Sequence, residues 1–215
     1  PIFVGTNRLG KKYKMALKTM VYVRDVSNLS DARYCAAMGV DMLGFRLDPS
    51  QENALSAAKL KEITGWISGI KLVGEYGGTV PVIAGEVLNS VSLDYLATDS
   101  VDQLLSWAEF GVPLILRVDI DDLDTVELRK ISGQISYILV TSSDDHLDFG
   151  KESAIEQLAS QFPVILGFGI NPKNAPYLVQ ELPLAGLSIA GGTEARPGYK
   201  DYDDMGEILE VLEIS

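Results

Sequence analysis

The stretch Gly186–Asp201 reads G-L-S-I-A-G-G-T-E-A-R-P-G-Y-K-D, and it is the most informative part of the chain for predicting the fold. Its apolar start, Gly186–Ala190, predicts a buried strand, and the glycines after it predict a tight loop that exposes backbone N–H groups. A similar unit lies upstream, where the apolar run Pro163–Gly167 leads through Gly169 into a helix. Two consecutive strand–glycine–helix units are typical of the anion site at the end of a (β/α)8 barrel.

The rest of the chain alternates short apolar runs with amphipathic segments, which favours a parallel sheet covered on both faces. The eight predicted strands are Met20–Val26, Met42–Leu47, Ile70–Glu75, Tyr95–Thr98, Pro113–Asp119, Tyr137–Thr141, Pro163–Gly167 and Gly186–Ala190. Helices are predicted between them, a short one within Gly85–Val91 and the first from Ser30 as N-cap. Eight strands favour a single closed (β/α)8 barrel with the first and last strands adjacent. A doubly wound open sheet is the alternative, although no G-x-G-x-x-G follows the first strand.

Composition limits the function classes. The formal net charge of −12 argues against non-specific binding to nucleic acid or to an anionic membrane surface. The lone cysteine, Cys35, excludes an internal disulfide and favours a reducing, cytoplasmic setting. With His146 as the only histidine, a multi-histidine metal site is impossible, and no metal or cofactor is expected.

The first residues differ from the remainder. Residues 1–19 carry several lysines and no acidic residue, and they lack the apolar core of a signal peptide. Met15 is a candidate native start, which would make the residues before it an extension or an addition foreign to the protein. We therefore expect a barrel over residues 20–215, preceded by an N-terminal extension.

Two patches resemble phosphoribosylanthranilate isomerase, an enzyme of tryptophan biosynthesis. Asn28–Phe45, N-L-S-D-A-R-Y-C-A-A-M-G-V-D-M-L-G-F, is similar to that family's N-L-x-D-A pattern with its alanine-rich helix. Gly192–Asp201, G-T-E-A-R-P-G-Y-K-D, is similar to its S-G-V-E-x-x-P-G-x-K-D, and Gly169–Asn174 resembles its G-L-N-P-x-N. The resemblance implies a TIM barrel, an Amadori-type aldose–ketose isomerisation, and a phosphate site at Gly167, Gly169, Gly191 and Gly192.

The residues that would carry this chemistry depart from the family pattern. The family's general base is a cysteine at the end of the first strand, where this chain has Arg24, and its general acid is an aspartate where this chain has Thr141. An arginine that contacts the anthranilate carboxylate is matched by Asn53. A guanidinium stays protonated at neutral pH and cannot act as a base.

Other polar residues are expected at the same rim. Strand alternation places Arg24, Arg46 and Arg117 at the barrel mouth as ligand-binding candidates, with the substitute catalytic candidates Glu75, Asp48 and Asp119 within their reach. An ion-pair network that fills a silent barrel and a rebuilt anion site both fit this pattern. The acidic segment around Asp144, Asp145 and Asp148 lacks the calcium-loop pattern and is expected to be solvated.

Three functions therefore stay open. The first is an isomerase in which other residues replace the family's base and acid. The second is a divergent enzyme for another phosphorylated sugar or small anion, and the third is a catalytically silent relative that binds a ligand or a protein. We favour a divergent relative that keeps an anion site but catalyses the phosphoribosylanthranilate isomerisation poorly or not at all. Its expected partner is a small phosphorylated or anionic ligand, and its expected state is a monomer or a homodimer.

Overall fold

A computed structural model describes residues 16–77, 84–123, 125–191, 194–196, 199–200 and 202–214. In this part of the chain, eight parallel strands close into a barrel in sequence order, with helices on its outside. The first and last strands pair over their full length, from Met20 opposite Gly186 to Arg24 opposite Ala190. The predicted (β/α)8 barrel is confirmed, and the open-sheet alternative is excluded.

The strands agree with the predicted apolar runs to within two residues. They are β1 Met20–Arg24, β2 Met42–Arg46, β3 Lys71–Glu75, β4 Tyr95–Thr98, β5 Leu114–Asp119, β6 Tyr137–Thr141, β7 Val164–Leu166 and β8 Gly186–Ala190. A short antiparallel pair follows, β9 Glu194–Arg196 and β10 Tyr199–Lys200.

The helices lie between the strands as predicted, and the short helix expected within Gly85–Val91 is α3. They are α1 Leu29–Ala37, α2 Ala57–Thr64, α3 Gly85–Ser90, α4 Leu104–Ala108, α5 Thr125–Ile131, α6 Phe149–Ala159, α7 Ala175–Glu181 and α8 Asp203–Val211. The predicted N-cap Ser30 is wrong, because the Asn28 side chain accepts the Asp31 N–H at 2.9 Å and α1 begins one residue earlier than Ser30. An Asn side chain with extended backbone is a strong N-cap, and it stops the helix from extending further back.

Two apolar layers result from strand alternation. Tyr22, Met42, Val73, Ala97, Ile115, Leu139 and Ile165 fill the barrel interior, whereas the larger cluster lies between the strands and the helices. Alternate residues of each strand point inward, so Tyr22 and Arg24 share one face of β1. This packing closes the barrel centre and leaves its C-terminal rim for polar side chains.

The segment before β1 is tied to the other end of the chain. Ile214 N–H donates to Ala16 O, and Lys18 N–H donates to Leu212 O, both at 2.8 Å. The predicted boundary between an extension and the barrel falls within this region, and most of residues 1–19 lie outside the described part. Over the described residues, no helix has the length and apolar character needed to cross a bilayer.

Candidate functional site

Polar side chains converge at the C-terminal rim of the barrel, where they border two separate spaces. One space, at the barrel axis, measures only about 10 Å³ and is lined by residues of β1 to β6 and of the loops that follow several of these strands. The other is an open cleft of about 560 Å³ between the ends of β6, β7 and β8 and the start of α8. A site of about 10 Å³ holds roughly one water molecule, whereas small-molecule sites occupy about 300–1,000 Å³. Of these two spaces among the described residues, the side cleft is the one large enough for a ligand.

A buried hydrogen bond occupies the axis. The Tyr22 hydroxyl donates to Glu75 Oε1 at 2.5 Å, and the Asp25 N–H donates to Glu75 Oε2 at 3.3 Å. A Cβ on Gly44 would meet Glu75 Oε1 at 2.0 Å, so only glycine fits beside this pair. Glu75 is 7% exposed, and burial with help from the Asp25 charge raises its pKa to about 7. Burial also raises the pKa of Tyr22 well above its usual range.

Two ion pairs line the same small space as this buried carboxyl. Arg46 Nη2 lies 2.5 Å from Asp25 Oδ1, and Arg117 donates through Nε at 2.7 Å and Nη2 at 2.5 Å to the Asp99 carboxylate. Both arginines line the small central space together with Glu75, as predicted, whereas the predicted Asp48 and Asp119 do not line it. The ion-pair partners are Asp25 and Asp99 instead. The actual partners follow β1 and β4 in the chain, where the two-residue alternation of a strand no longer applies.

The other predicted carboxylates serve the backbone. Asp48 accepts the Ser50 N–H and hydroxyl, at 3.0 Å and 2.6 Å, and the Gly77 N–H at 3.2 Å. Asp119 accepts the Asp121 N–H at 3.0 Å. Asn53 is exposed in the loop after β2 with φ of 63°. None of these three lines either of the two spaces, so they do not join the predicted cluster with the arginines.

Arg24 stands apart from the other two arginines. It lines the side cleft, and its Nη2 donates to Gly167 O at 3.1 Å. Within the described residues, no carboxylate forms an ion pair with it, and its buried Nε has no hydrogen-bond partner. Ser188, 2% exposed, lines the same cleft, and its Oγ also lacks a described partner. Buried polar atoms without partners are costly and rare, so Arg24 and Ser188 bring two polar groups to the cleft that a ligand could satisfy.

Thr141 lines the cleft as well, at the end of β6. Its hydroxyl donates to Val118 O at 3.3 Å. Arg24 and Thr141, the residues matched to the general base and acid, therefore border one space, while Glu75 lies at the barrel axis.

The predicted glycine amides are already bonded within the chain. Gly167 N–H donates to Val140 O at 2.8 Å, and Gly191 N–H donates to Arg24 O at 2.7 Å. Gly169 N–H donates to Asp145 Oδ1 at 2.7 Å. The expectation that these N–H groups face solvent is wrong for the three glycines, although Gly167 and Gly191 do line the cleft. Gly192 lies outside the described residues.

Sequence reasoning missed four residues of the rim. Asp25 and Asp99 each follow a strand directly, and Ser188 is a polar residue inside an apolar strand, so a signal for these three was present. Asp145 left no such signal, because its contact with Gly169 spans 24 residues of chain. Among the described residues, no group of three or more histidine, cysteine or acidic side chains is placed to hold a metal ion.

A closed (β/α)8 barrel defines the class, a TIM barrel, and the arginine-bearing cleft lies at the C-terminal rim, where sites of this fold are usually found. No protein-family model matches the chain. Its sequence is 26% identical over 195 residues to N-(5'-phosphoribosyl)anthranilate isomerase of Geobacter sulfurreducens, covering 88% of this chain and 96% of the relative. The chain is thus similar, at low identity, to phosphoribosylanthranilate isomerases.

Solved structures share the same fold. Phosphoribosyl anthranilate isomerase from Thermus thermophilus superposes with a TM-score of 0.75 at 20% identity, covering 90% of this chain and 98% of that one. A phosphoribosyl anthranilate isomerase in complex with reduced 1-(o-carboxyphenylamino)-1-deoxyribulose 5-phosphate gives 0.71 at 20% identity, with the same coverage. The predicted resemblance in fold is confirmed.

Proposed function

We propose that this protein is a divergent relative of phosphoribosylanthranilate isomerase that binds a small phosphorylated or otherwise anionic ligand in the side cleft. The observation that carries the proposal is Arg24, which borders about 560 Å³ of open space and has no ion-pair partner among the described residues. The other rim arginines are neutralised by Asp25 and Asp99. Because an unpaired guanidinium is a strong receptor for carboxylate or phosphate, Arg24 is the anchor of the site.

We also propose that the protein converts phosphoribosylanthranilate, the substrate of the family that it resembles, very slowly or not at all. The positions that the family resemblance assigns to base and acid hold Arg24 and Thr141. A guanidinium does not accept a proton at neutral pH, and a threonine hydroxyl is a poor acid. A general acid or base contributes about 10²–10⁴-fold each, so losing both raises the barrier by several kcal/mol.

Two measurements test the proposal. The first is a steady-state assay with phosphoribosylanthranilate, which should show turnover far below a typical enzyme's ~10 s⁻¹. The second is calorimetric titration with ribose 5-phosphate and with benzoate. At least one should bind, and Arg24→Ala should weaken it about tenfold or more through loss of a charge-assisted contact. Arg129→Ala is the matched control, because Arg129 is exposed and donates to Gln161. Ordinary turnover, or binding indifferent to Arg24→Ala, would refute the proposal.

A second candidate is an isomerase with substituted catalysts, and one observation favours it. Glu75 has a pKa raised to about 7, a value suited to a general base near neutral pH. Against it, the carboxyl is buried and shares a space of only about 10 Å³ with the Arg46–Asp25 and Arg117–Asp99 pairs. Glu75→Gln separates the two candidates: it abolishes any measurable turnover if Glu75 is the base, and it leaves anion binding unchanged if Glu75 is only structural.

A further inference from the structure

The charge balance of the side cleft is unusual for a site that takes phosphate. Among its described lining residues, Arg24 is the only cation, while Asp145 and Asp204 are carboxylates. Asp204 lies in the first turn of α8, together with Asp203. A helix N-terminus that attracts phosphate in other proteins here already carries acidic side chains.

The amide donors of the loop after β7 are also occupied. Asp145 reaches in from the loop after β6 and accepts the Gly169 N–H at 2.7 Å. Asn171 N–H donates to Asn174 Oδ1 at 2.8 Å, and Lys173 N–H donates to Asn171 Oδ1 at 3.0 Å. Asp145 holds this position with φ of 46°, in the left-handed region that few residues other than Gly, Asn and Asp adopt. Its carboxylate therefore occupies an amide donor that is then not free for a bound anion.

The remainder of the cleft is apolar. Phe168 and Ile170 line it from the loop after β7, Ile189 lines it from β8, and Met205 and Ile208 line it from α8. An apolar wall beside a single guanidinium suits a ligand with an apolar body and one anionic group, since most small-molecule sites combine apolar lining with few polar anchors.

From these observations we infer that Asp145 sets the charge selectivity of the cleft, which takes a monocarboxylate with an apolar body in preference to a phosphate ester. This inference rests on the proposed anion site at Arg24. A single negative charge is matched by the Arg24 guanidinium, whose planar fork fits a carboxylate. A phosphate dianion leaves one charge unmatched beside Asp145 and Asp204, and it finds the Gly169 amide taken.

Two ligands with the same ring test the inference. Benzoate carries one negative charge, and phenyl phosphate carries close to two at pH 8. Calorimetry in low-salt buffer, where charge effects are least screened, compares both ligands on the full chain and its variants. Wild type should bind benzoate more tightly than phenyl phosphate. Arg24→Ala should weaken both about tenfold or more, because both share the same anchor.

Two substitutions separate the charge of Asp145 from its hydrogen bond. Asp145→Asn removes the charge and keeps an oxygen for the Gly169 amide, so phenyl phosphate binding should rise severalfold. Asp145→Gly also frees the amide and tolerates the positive φ, so the rise should reach about tenfold or more. Benzoate binding should change less in both. Glu156→Gln, on the exposed side of α6, makes the same change of net charge and should alter neither ligand. Urea midpoints establish that each variant is folded.

The results can separate the charge selectivity set by Asp145 from the anion site at Arg24 on which it rests. If wild type binds phenyl phosphate as well as benzoate, with both dependent on Arg24 and indifferent to the Asp145 substitutions, charge selectivity is wrong and the anion site stands. If neither ligand binds any variant, or if binding ignores Arg24→Ala, the anion site falls and the inference falls with it.

Discussion

Replacing Glu75 by glutamine is expected to stabilise the chain relative to wild type at pH 8 but not at pH 4. The carboxyl is 7% exposed, and its pKa is about 7 in the folded chain against an ordinary 4.5. Below pH 4.5 it is protonated in both the folded and the unfolded chain, so its ionisation does not lower the stability there. Between pH 4.5 and 7 the unfolded chain loses the proton first, so rising pH favours unfolding.

The magnitude follows from the two pKa values. The difference between about 7 and 4.5 corresponds to about 3 kcal/mol of stability, which is fully present below pH 4.5 and lost once the pH exceeds 7. Glutamine stays neutral at every pH, so the variant does not lose this stability as the pH rises. Its hydrogen bonds can persist, because Oε1 can accept the Asp25 N–H while the amide group donates to the Tyr22 hydroxyl, which both donates and accepts.

The assay is urea unfolding followed by tryptophan fluorescence, on wild type and Glu75→Gln, from pH 4 to pH 8. The variant's free energy of unfolding, minus that of wild type, should rise by about 3 kcal/mol between pH 4.5 and pH 7 and then level off. Glu207→Gln, at an exposed position of α8, should give a difference that hardly changes with pH. A flat difference for Glu75→Gln, or one that falls with pH, would show that this carboxyl is ionised in the folded chain at acid pH.

Two further predictions concern the local structure of the rim and of α1, and both are measured as urea unfolding free energies. Gly44→Ala should lower the free energy of unfolding by about 2 kcal/mol or more, because its Cβ would meet Glu75 Oε1 at 2.0 Å. Gly85→Ala, whose Cβ would meet nothing within 4 Å, should be neutral or slightly stabilising. Equal effects of the two substitutions would contradict the packing at the axis. Asn28→Ala should lower the free energy of unfolding by about 1 kcal/mol, because it removes the acceptor for the Asp31 N–H. Asn28→Ser should keep most of this stability, because serine is also a good N-cap. An alanine variant as stable as wild type would mean that the cap is not formed.

The functional prediction for Arg24 depends on the same rim. With two arginines paired to Asp25 and Asp99, the central region offers about 10 Å³ and no unmatched cation among the described residues. Substituting Arg117 should therefore affect stability more than ligand binding, whereas substituting Arg24 should do the reverse. The charges within the Arg46–Asp25 and Arg117–Asp99 pairs thus neutralise each other at the central space, and a rebuilt anion site stays a proposal for the side cleft beside Arg24.

Much of the architecture could be predicted from the sequence, because it depends on local patterns. Apolar runs such as Tyr95–Thr98 and Tyr137–Thr141 begin and end as strands where predicted, since a strand buried on both faces must be apolar along its length. Strand alternation also placed Arg46 and Arg117 correctly at the mouth of the barrel.

The partners of those side chains were decided by the tertiary structure alone. Asp25 and Asp99 lie just beyond strand ends, where the chain turns (Asp25 with φ of 57°) and alternation has no further meaning. Whether the Gly169 amide is free depends on Asp145, which arrives from a different loop. Sequence patterning determined which residues reach the rim, because side-chain direction within a strand is local. Only the closed barrel decided which charges are neutralised and where space remains, because both depend on distances between residues far apart in the chain.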